Sequence, residues 1–202
     1  MARLSDTKRD AILTAADRMF SRHGYSKVTM GAIAEAAPVS KPTLYNYFAD
    51  KPALFGAVVA RQCDDLLRRM SGFDAATGSL REDLLRLARA IVDLSYAPST
   101  LRLFRLVIAE REAFPELGAL AFQSGAQPVL KGVAGYLRRS ARAHGLALGK
   151  PERSARMLLG LLMGEEHLRC LFGLKKGLSA TEKARLVNET VNFYLRAHGA
   201  NG

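Results

Sequence analysis

Cysteine is scarce in this chain: Cys63 and Cys170 are the only two, and they form no CxxC pair. That excludes a disulfide framework and a zinc site built on paired thiolates, and both are expected to be buried thiols. Long apolar runs are also missing. The longest apolar stretch, residues 157–163, falls far short of the roughly 20 residues that span a bilayer, and residues 1–10 hold no run suited to a secretory signal. A cytoplasmic protein with no membrane partner is therefore expected. Catalytic motifs are absent too. The histidines His23, His144, His167 and His198 are scattered, with no HExxH, GxSxG or P-loop spacing beside them. Glu165, Glu166, His167 and Cys170 are close in sequence, but on one helix they would spread around its surface and not converge on a metal. No catalytic residue, metal or cofactor is expected.

Acidic residues are few beside basic ones: 19 against 30, a net charge of +11. Such an excess favours a polyanionic partner, because each neutralised phosphate releases condensed counterions. The excess is spread along the chain. Residues 1–51 hold eight basic and five acidic side chains, and residues 52–202 hold 22 and 14. Charge alone therefore also fits a non-specific binder of nucleic acid or of an anionic membrane surface. The 49% hydrophobic content over 202 residues supplies a substantial core.

Helical signals recur from end to end, and no segment alternates β-branched with polar residues for long, so an all-α fold is expected. Thr7 and Asp10 make a capping-box variant ahead of Ile12, Ala15, Ala16, Met19 and Phe20 on one helical face. This helix should stop at His23, with Gly24 left-handed and Tyr25 packed back on Phe20. Short helices follow at about 29–36 and 41–48, and Asp50 caps a longer one with Pro52 in its first turn. Residues 71–78 read as a loop. Ser79 and Glu82 form a capping box for a helix to about Ser95, Pro98 breaks it, and the helical period resumes over 100–113. Further helices are expected over 115–122, 126–143, 151–171 and 181–198.

Residues 29–48, TMGAIAEAAPVSKPTLYNYF, are the informative stretch. Two helices of two or three turns meet at a tight turn, with Ile33, Ala34, Val39, Leu44 and Phe48 at core spacing, which is the layout of a helix-turn-helix. The second helix of such a unit enters the major groove, so its early residues must touch base edges and phosphates. Ser40, Lys41, Thr43, Tyr45, Asn46 and Tyr47 have that chemistry: Ser40 caps, Lys41 and Lys51 add charge, and Thr43 and Asn46 can address bases. The same spacing also fits a plain helical hairpin whose tyrosines face solvent.

Residues 11–59, AILTAADRMFSRHGYSKVTMGAIAEAAPVSKPTLYNYFADKPALFGAVV, resemble the N-terminal domain of the tetracycline-repressor (TetR) family almost position by position. The shared features are the helix-ending GY, the TM before IA, the VSK-TLY-YF core and the K-ALF that opens the fourth helix. The resemblance implies a transcriptional regulator with an N-terminal helix-turn-helix domain, 1–51, and a helical effector-binding and dimerisation domain, 52–202. It further implies contact with a double-stranded DNA operator through Thr29, Ser40, Lys41, Pro42, Thr43, Tyr45, Asn46, Tyr47 and Lys51. The sequence departs from the family where glycine is usual, at Pro38 in AGVS and at Pro42 in SKGT. Proline fixes φ near −65° and disfavours the α region for the residue before it. The turn is therefore expected to reach Ser40 with no left-handed residue at 38.

In the second half, residues 151–171 carry an apolar band too wide for one core contact, and Gly160 and Gly164 invite close approach of another helix. With the last helix this resembles the family's four-helix dimer interface. Leu158, Leu159, Gly160, Leu162, Met163, Gly164, Val187, Val191 and Tyr194 are the residues expected to pair a homodimer. Filling of the monomer core is the other reading of the same residues. The family further implies a pocket for a small-molecule effector among the middle helices. Its candidate lining is Cys63, Leu66, Leu87, Phe104, Val107, Ile108 and Phe122, with Arg105, Glu110 and Arg111 as polar anchors.

Overall fold

The computed structural model describes residues 2–72, 78–146 and 148–198, and among them there are helices and no strand. The elements are α1 (Ala2–His23), α2 (Met30–Ala36), α3 (Lys41–Tyr47), α4 (Lys51–Gly72), α5 (Leu80–Ser95), α6 (Pro98–Glu110) and α7 (Glu116–Ala121). A π-helical turn, Phe122–Ala126, leads into α8 (Gln127–His144), followed by α9 (Pro151–Leu162), α10 (Glu165–Leu171) and α11 (Ala180–Ala197). The expected loop at 71–78 lies mostly outside the described residues.

The chain forms two compact units. The first holds residues 1–62 and 102–126, and the second holds 63–101 and 127–202. The division expected at 51/52 is not where the contacts fall. Residues 52–62 and 102–126 pack with the N-terminal helices because the apolar faces of α4 and α7 supply Leu54, Phe55, Val58, Val59 and Leu117 to that core. There they join Ile12, Leu13, Ala16, Phe20, Tyr25, Ile33, Ala34 and Leu44.

Several boundaries follow from local chemistry. α1 ends at His23 with Gly24 at φ 81°, and Tyr25 stacks on Phe20 with ring centroids 5.5 Å apart. The Thr7 capping box does not form as a helix start, because Ala2, Arg3 and Leu4 are strong helix formers and α1 begins at Ala2. Asp50 accepts from Ala53 N at 2.7 Å and so caps α4. Ser79 and Glu82 make the reciprocal capping box of α5, and Ser179 and Glu182 make another for α11 that the sequence reading passed over. Pro98 opens α6 as its first residue, a position where its missing N–H costs nothing.

The second unit is built on α5, α8, α9 and α11, with α8 against α9 and α11 against α5 and α9. Its core holds Leu84, Leu87, Ile91, Val133, Tyr136, Leu158, Leu162, Val187, Val191 and Tyr194. Buried Asp83 ties α5 to α8: it pairs with Arg86 and accepts from Ser140 at 3.2 Å, with His144 Nε2 3.1 Å away. The Tyr136 hydroxyl donates to the Asp83 carbonyl at 3.1 Å. The carboxylate has left water, so these partners offset the cost of burying its charge, while Arg86 stays partly exposed. The single helix expected over 151–171 is two. α9 stops at Leu162, Met163 takes φ −111° and ψ 23°, and Gly164 at ψ −136° turns the chain into α10.

Candidate DNA-reading site

The site is assembled within the first unit. Thr29 caps α2, its hydroxyl accepting from Ala32 N at 3.2 Å, and Ser40 caps α3 in the same way through Thr43 N at 3.2 Å. The Ser40 and Thr43 hydroxyls are themselves 2.8 Å apart. α3 is oriented by buried Leu44, with Phe48 buried just beyond it, and this leaves Lys41, Pro42, Tyr45 and Asn46 exposed on the opposite side. Tyr45 is half exposed, with its ring and hydroxyl open to a partner on that face. Tyr47 and Thr43 are half-buried at the edge of this face. The aliphatic end of Lys41 lies across Gly31, where a Cβ would stand 3.0 Å from Lys41 Cε, so the lysine is steered along α2.

The turn between α2 and α3 departs from expectation. Val39 N bonds Ala34 O at 3.0 Å, closing a Schellman loop whose left-handed position is Pro38, at φ 22°. Ala37, which precedes the proline, takes φ −95° and ψ 13°. Both residues are thus held where they are disfavoured: proline's ring prefers φ near −65°, and a pre-proline residue prefers extended backbone. Packing of Ile33, Ala34, Val39 and Leu44 in one core fixes the turn, and the proline bears the strain.

Lys51 behaves differently from the other expected contacts. Its ammonium donates to Tyr25 O at 3.1 Å and Val28 O at 3.0 Å, and lies 4.2 Å from the Tyr25 ring centroid. Burial lowers its pKa, and the Glu110 charge opposes that shift. Tyr25 is itself pushed up to about 12, by burial first and then by Glu116 and Asp50. A further cation, which the sequence reading missed, stands at the C-terminal end of α3: the Arg9 guanidinium lies 5.8 Å from the ring centroid of Phe48. Its signal was a lone arginine on the first helix, and no spacing marks such a residue.

The residues expected to line an effector pocket have varied fates. Cys63, Leu66 and Leu87 belong to the second unit, where Leu66 and Leu87 are core residues. Burial pushes the Cys63 thiol up to about 11, and Cys170 is fully buried. Phe104, Ile108 and Phe122 are exposed in the first unit, Arg105 and Val107 are half-buried, and Arg111 pairs with its neighbour Glu112. Glu110 is not an open anchor: its carboxylate accepts from Tyr25 N at 2.9 Å and Ser26 N at 3.2 Å. A groove of about 240 Å³ in the second unit is lined by Asp65, Leu66, Arg69, Ala90, Asp93, Leu94 and Ala97.

The expected pairing residues also divide. Leu158, Leu162, Val187, Val191 and Tyr194 are buried within one chain; Leu159 and Met163 are half-buried. The cause is the two-sided apolar band, whose inner side the monomer core takes. Gly160 and Gly164 are exposed, as are Met157, Leu161, Leu168, Phe172, Leu174 and Phe193 in the same unit. No helix among the described residues is long and apolar enough to cross a membrane.

Comparison with known proteins agrees with this geometry. Residues 12–58 match the model of bacterial regulatory proteins of the tetR family, and residues 82–200 match that of the C-terminal domain of AefR-like transcriptional repressors. Over 86 residues the chain is 37% identical to the transcriptional activator FasR of Mycolicibacterium smegmatis, covering 43% of this chain and 38% of that protein. The chain therefore spans well under half the length of that relative. The crystal structure of a TetR-family regulator from Mesorhizobium loti superposes with a TM-score of 0.80 at 29% identity, over 96% of this chain and 97% of that one. The flavonoid-responsive regulator FrrA superposes with a TM-score of 0.71 at 30% identity, over 94% and 96%. These relatives are regulators and not enzymes, and the chain belongs to the TetR family of helix-turn-helix transcriptional regulators.

Proposed function

We propose that this regulator is a repressor that binds a near-palindromic operator as a homodimer and is released by a small apolar or amphipathic molecule. The observation that carries the reading is α3: a helix capped by Ser40, seated by Leu44, and presenting Lys41, Tyr45 and Asn46 outward. Asn46 can make paired hydrogen bonds to an adenine edge, and Thr43 can meet a thymine methyl or a base acceptor. Thr29, Ser40, Pro42 and Tyr47 border that face and position it on the backbone, with Arg9 as an added phosphate contact. Two such helices about one DNA turn apart read equivalent half-sites, which gives the operator its symmetry. A repressing role is supported by the match of residues 82–200 to a repressor domain.

Release requires a ligand that prefers a dimer with wrongly spaced reading heads, since equal affinity for both states shifts nothing. The exposed rings of Phe104 and Phe122, and the flavonoid response of a neighbour at 30% identity, favour an aromatic or amphipathic effector. Selection of bound duplexes from a random pool tests the reading. A symmetric motif is expected, and Asn46→Ala should change the preferred base at one position of each half-site. Binding without sequence preference would instead favour a protein that uses bulk basicity alone.

A further inference from the structure

The turn between α1 and α2 is held from both sides by opposite charges. On one side, Glu110 Oε1 accepts from Tyr25 N at 2.9 Å, from Ser26 N at 3.2 Å and from the Ser26 hydroxyl at 3.2 Å. On the other, Lys51 Nζ donates to the carbonyls of Tyr25 at 3.1 Å and Val28 at 3.0 Å. Two amides of the turn, those of Tyr25 and Ser26, therefore face a carboxylate, and two carbonyls, those of Tyr25 and Val28, face an ammonium, each matched in sign. Charge-assisted bonds of this kind are about twice as strong as neutral ones. The fit is close, because a Cβ at Gly24 would stand 2.8 Å from Glu110 Oε1. Rings close the site: Tyr25 lies 5.1 Å from Phe114 and 5.5 Å from Phe55, and Lys51 sits over the Tyr25 face.

This turn delivers the chain to Thr29, the cap of α2, and α2 shares a core with α3 through Ile33, Ala34 and Leu44. The turn at 25–28 thus sets where α2 begins, and α2 packs with α3 in one core. We infer that Glu110 and Lys51 are positioning residues for DNA reading, acting together through the α1–α2 turn, with the partly exposed Lys51 ammonium engaged by the carbonyls of that turn and not by an operator phosphate. The inference rests on the DNA-reading assignment above, yet its first test needs no DNA.

Amide hydrogen exchange on the full chain reads the turn directly. Glu110→Ala should speed exchange at Tyr25 and Ser26 at least tenfold and also loosen the amides of α2, while α8 and α11 keep their protection. Glu110→Gln keeps an acceptor oxygen and the side-chain shape, so it should fall between Ala and the parent, and it serves if the alanine variant folds poorly. Unchanged exchange in α2 in either variant would overturn the positioning role.

On the selected operator, Glu110→Ala and Lys51→Met should each weaken binding about tenfold. The slope of log affinity against log salt should stay within half a unit of the parent, and the double variant should be no weaker than the worse single one, since one turn is lost only once. A slope reduced by about one unit in Lys51→Met would make Lys51 a phosphate contact and sink the inference. If the parent shows no sequence preference, the DNA-reading assignment fails by itself, and exchange in α2 still decides whether the two charges position that helix.

Discussion

Pro38 and His167 show how single residues set conditions on this fold. A proline at φ 22° after an alanine at ψ 13° stores strain of about 1–3 kcal/mol per residue in a sparsely populated conformation. Replacing it with glycine also frees the unfolded chain, at a cost of about 0.4–1 kcal/mol. Strain relief is the larger effect, so Pro38→Gly should raise stability by about 1 kcal/mol in urea denaturation with an unchanged m-value. A loss of stability would mean that the turn suits proline. His167 is buried against the Tyr96 ring at 5.4 Å, and burial lowers its pKa below 6.5, against a smaller opposing bond to Ser95. The unfolded chain then takes the proton more readily than the folded one, so this contribution is present above about pH 6.5 and is lost as pH falls below it. Glu182 adds a second, more acidic step. Its carboxyl is held down at about 2 by Lys175 and then by Ser179, so its contribution is present above about pH 4.3 and is lost as pH falls toward about 2. Denaturation midpoints measured against pH should show both steps, and Glu182→Gln should shrink the lower one, to which the lowered Glu82 carboxyl also contributes, and leave the upper one in place.

At the scale of elements, ends were easier to read than faces. Gly24, Asp50, Ser79 and Pro98 act where they stand in sequence, because a left-handed position, a side-chain cap or a missing N–H is satisfied within four residues. The same holds for Ser179, which the reading passed over although Ser179 and Glu182 repeat the Ser79 and Glu82 spacing. Ser179→Ala should cost about 1 kcal/mol, and helix content lost on mild heating should come from α11. Leucine, by contrast, carries no address. Leu158 and Leu161 are alike as residues, and only the position of α8, α11 and α5 makes the first core and the second surface. The same limit explains Glu110, whose partners at 25 and 26 lie more than 80 residues away. The cap and the exposed face of α3, on which the proposed reading rests, were legible because their logic is local: a cap at 40, a seat at 44, and polar residues between and beyond. The inward turn of Lys51 was not, since the carbonyls it meets belong to another helix connection.

For the whole molecule, the proposed homodimer requires a surface that joins two copies. With Leu158, Leu162, Val187, Val191 and Tyr194 inside the second unit, the large apolar side chains exposed among its described residues are Met157, Leu161, Leu168, Phe172, Leu174 and Phe193. Phe172 at 76% and Leu174 at 72% are the most exposed of them, and a partner that covered such side chains would remove their apolar surface from water. Inner and outer sides then make opposite predictions. Leu158→Ala opens a cavity, so it should cost about 2–5 kcal/mol of stability while the surviving folded protein still pairs. Leu161→Glu with Phe193→Glu places charge where a partner would desolvate it. Those chains should keep their melting behaviour at high dilution, run as monomers in light scattering at micromolar concentration, and bind an operator half-site no more weakly than the parent monomer does. Affinity for the full palindrome should fall steeply, because two half-sites no longer act as one site. A charged double variant that remains a dimer with full operator affinity would place the pairing surface elsewhere on the molecule.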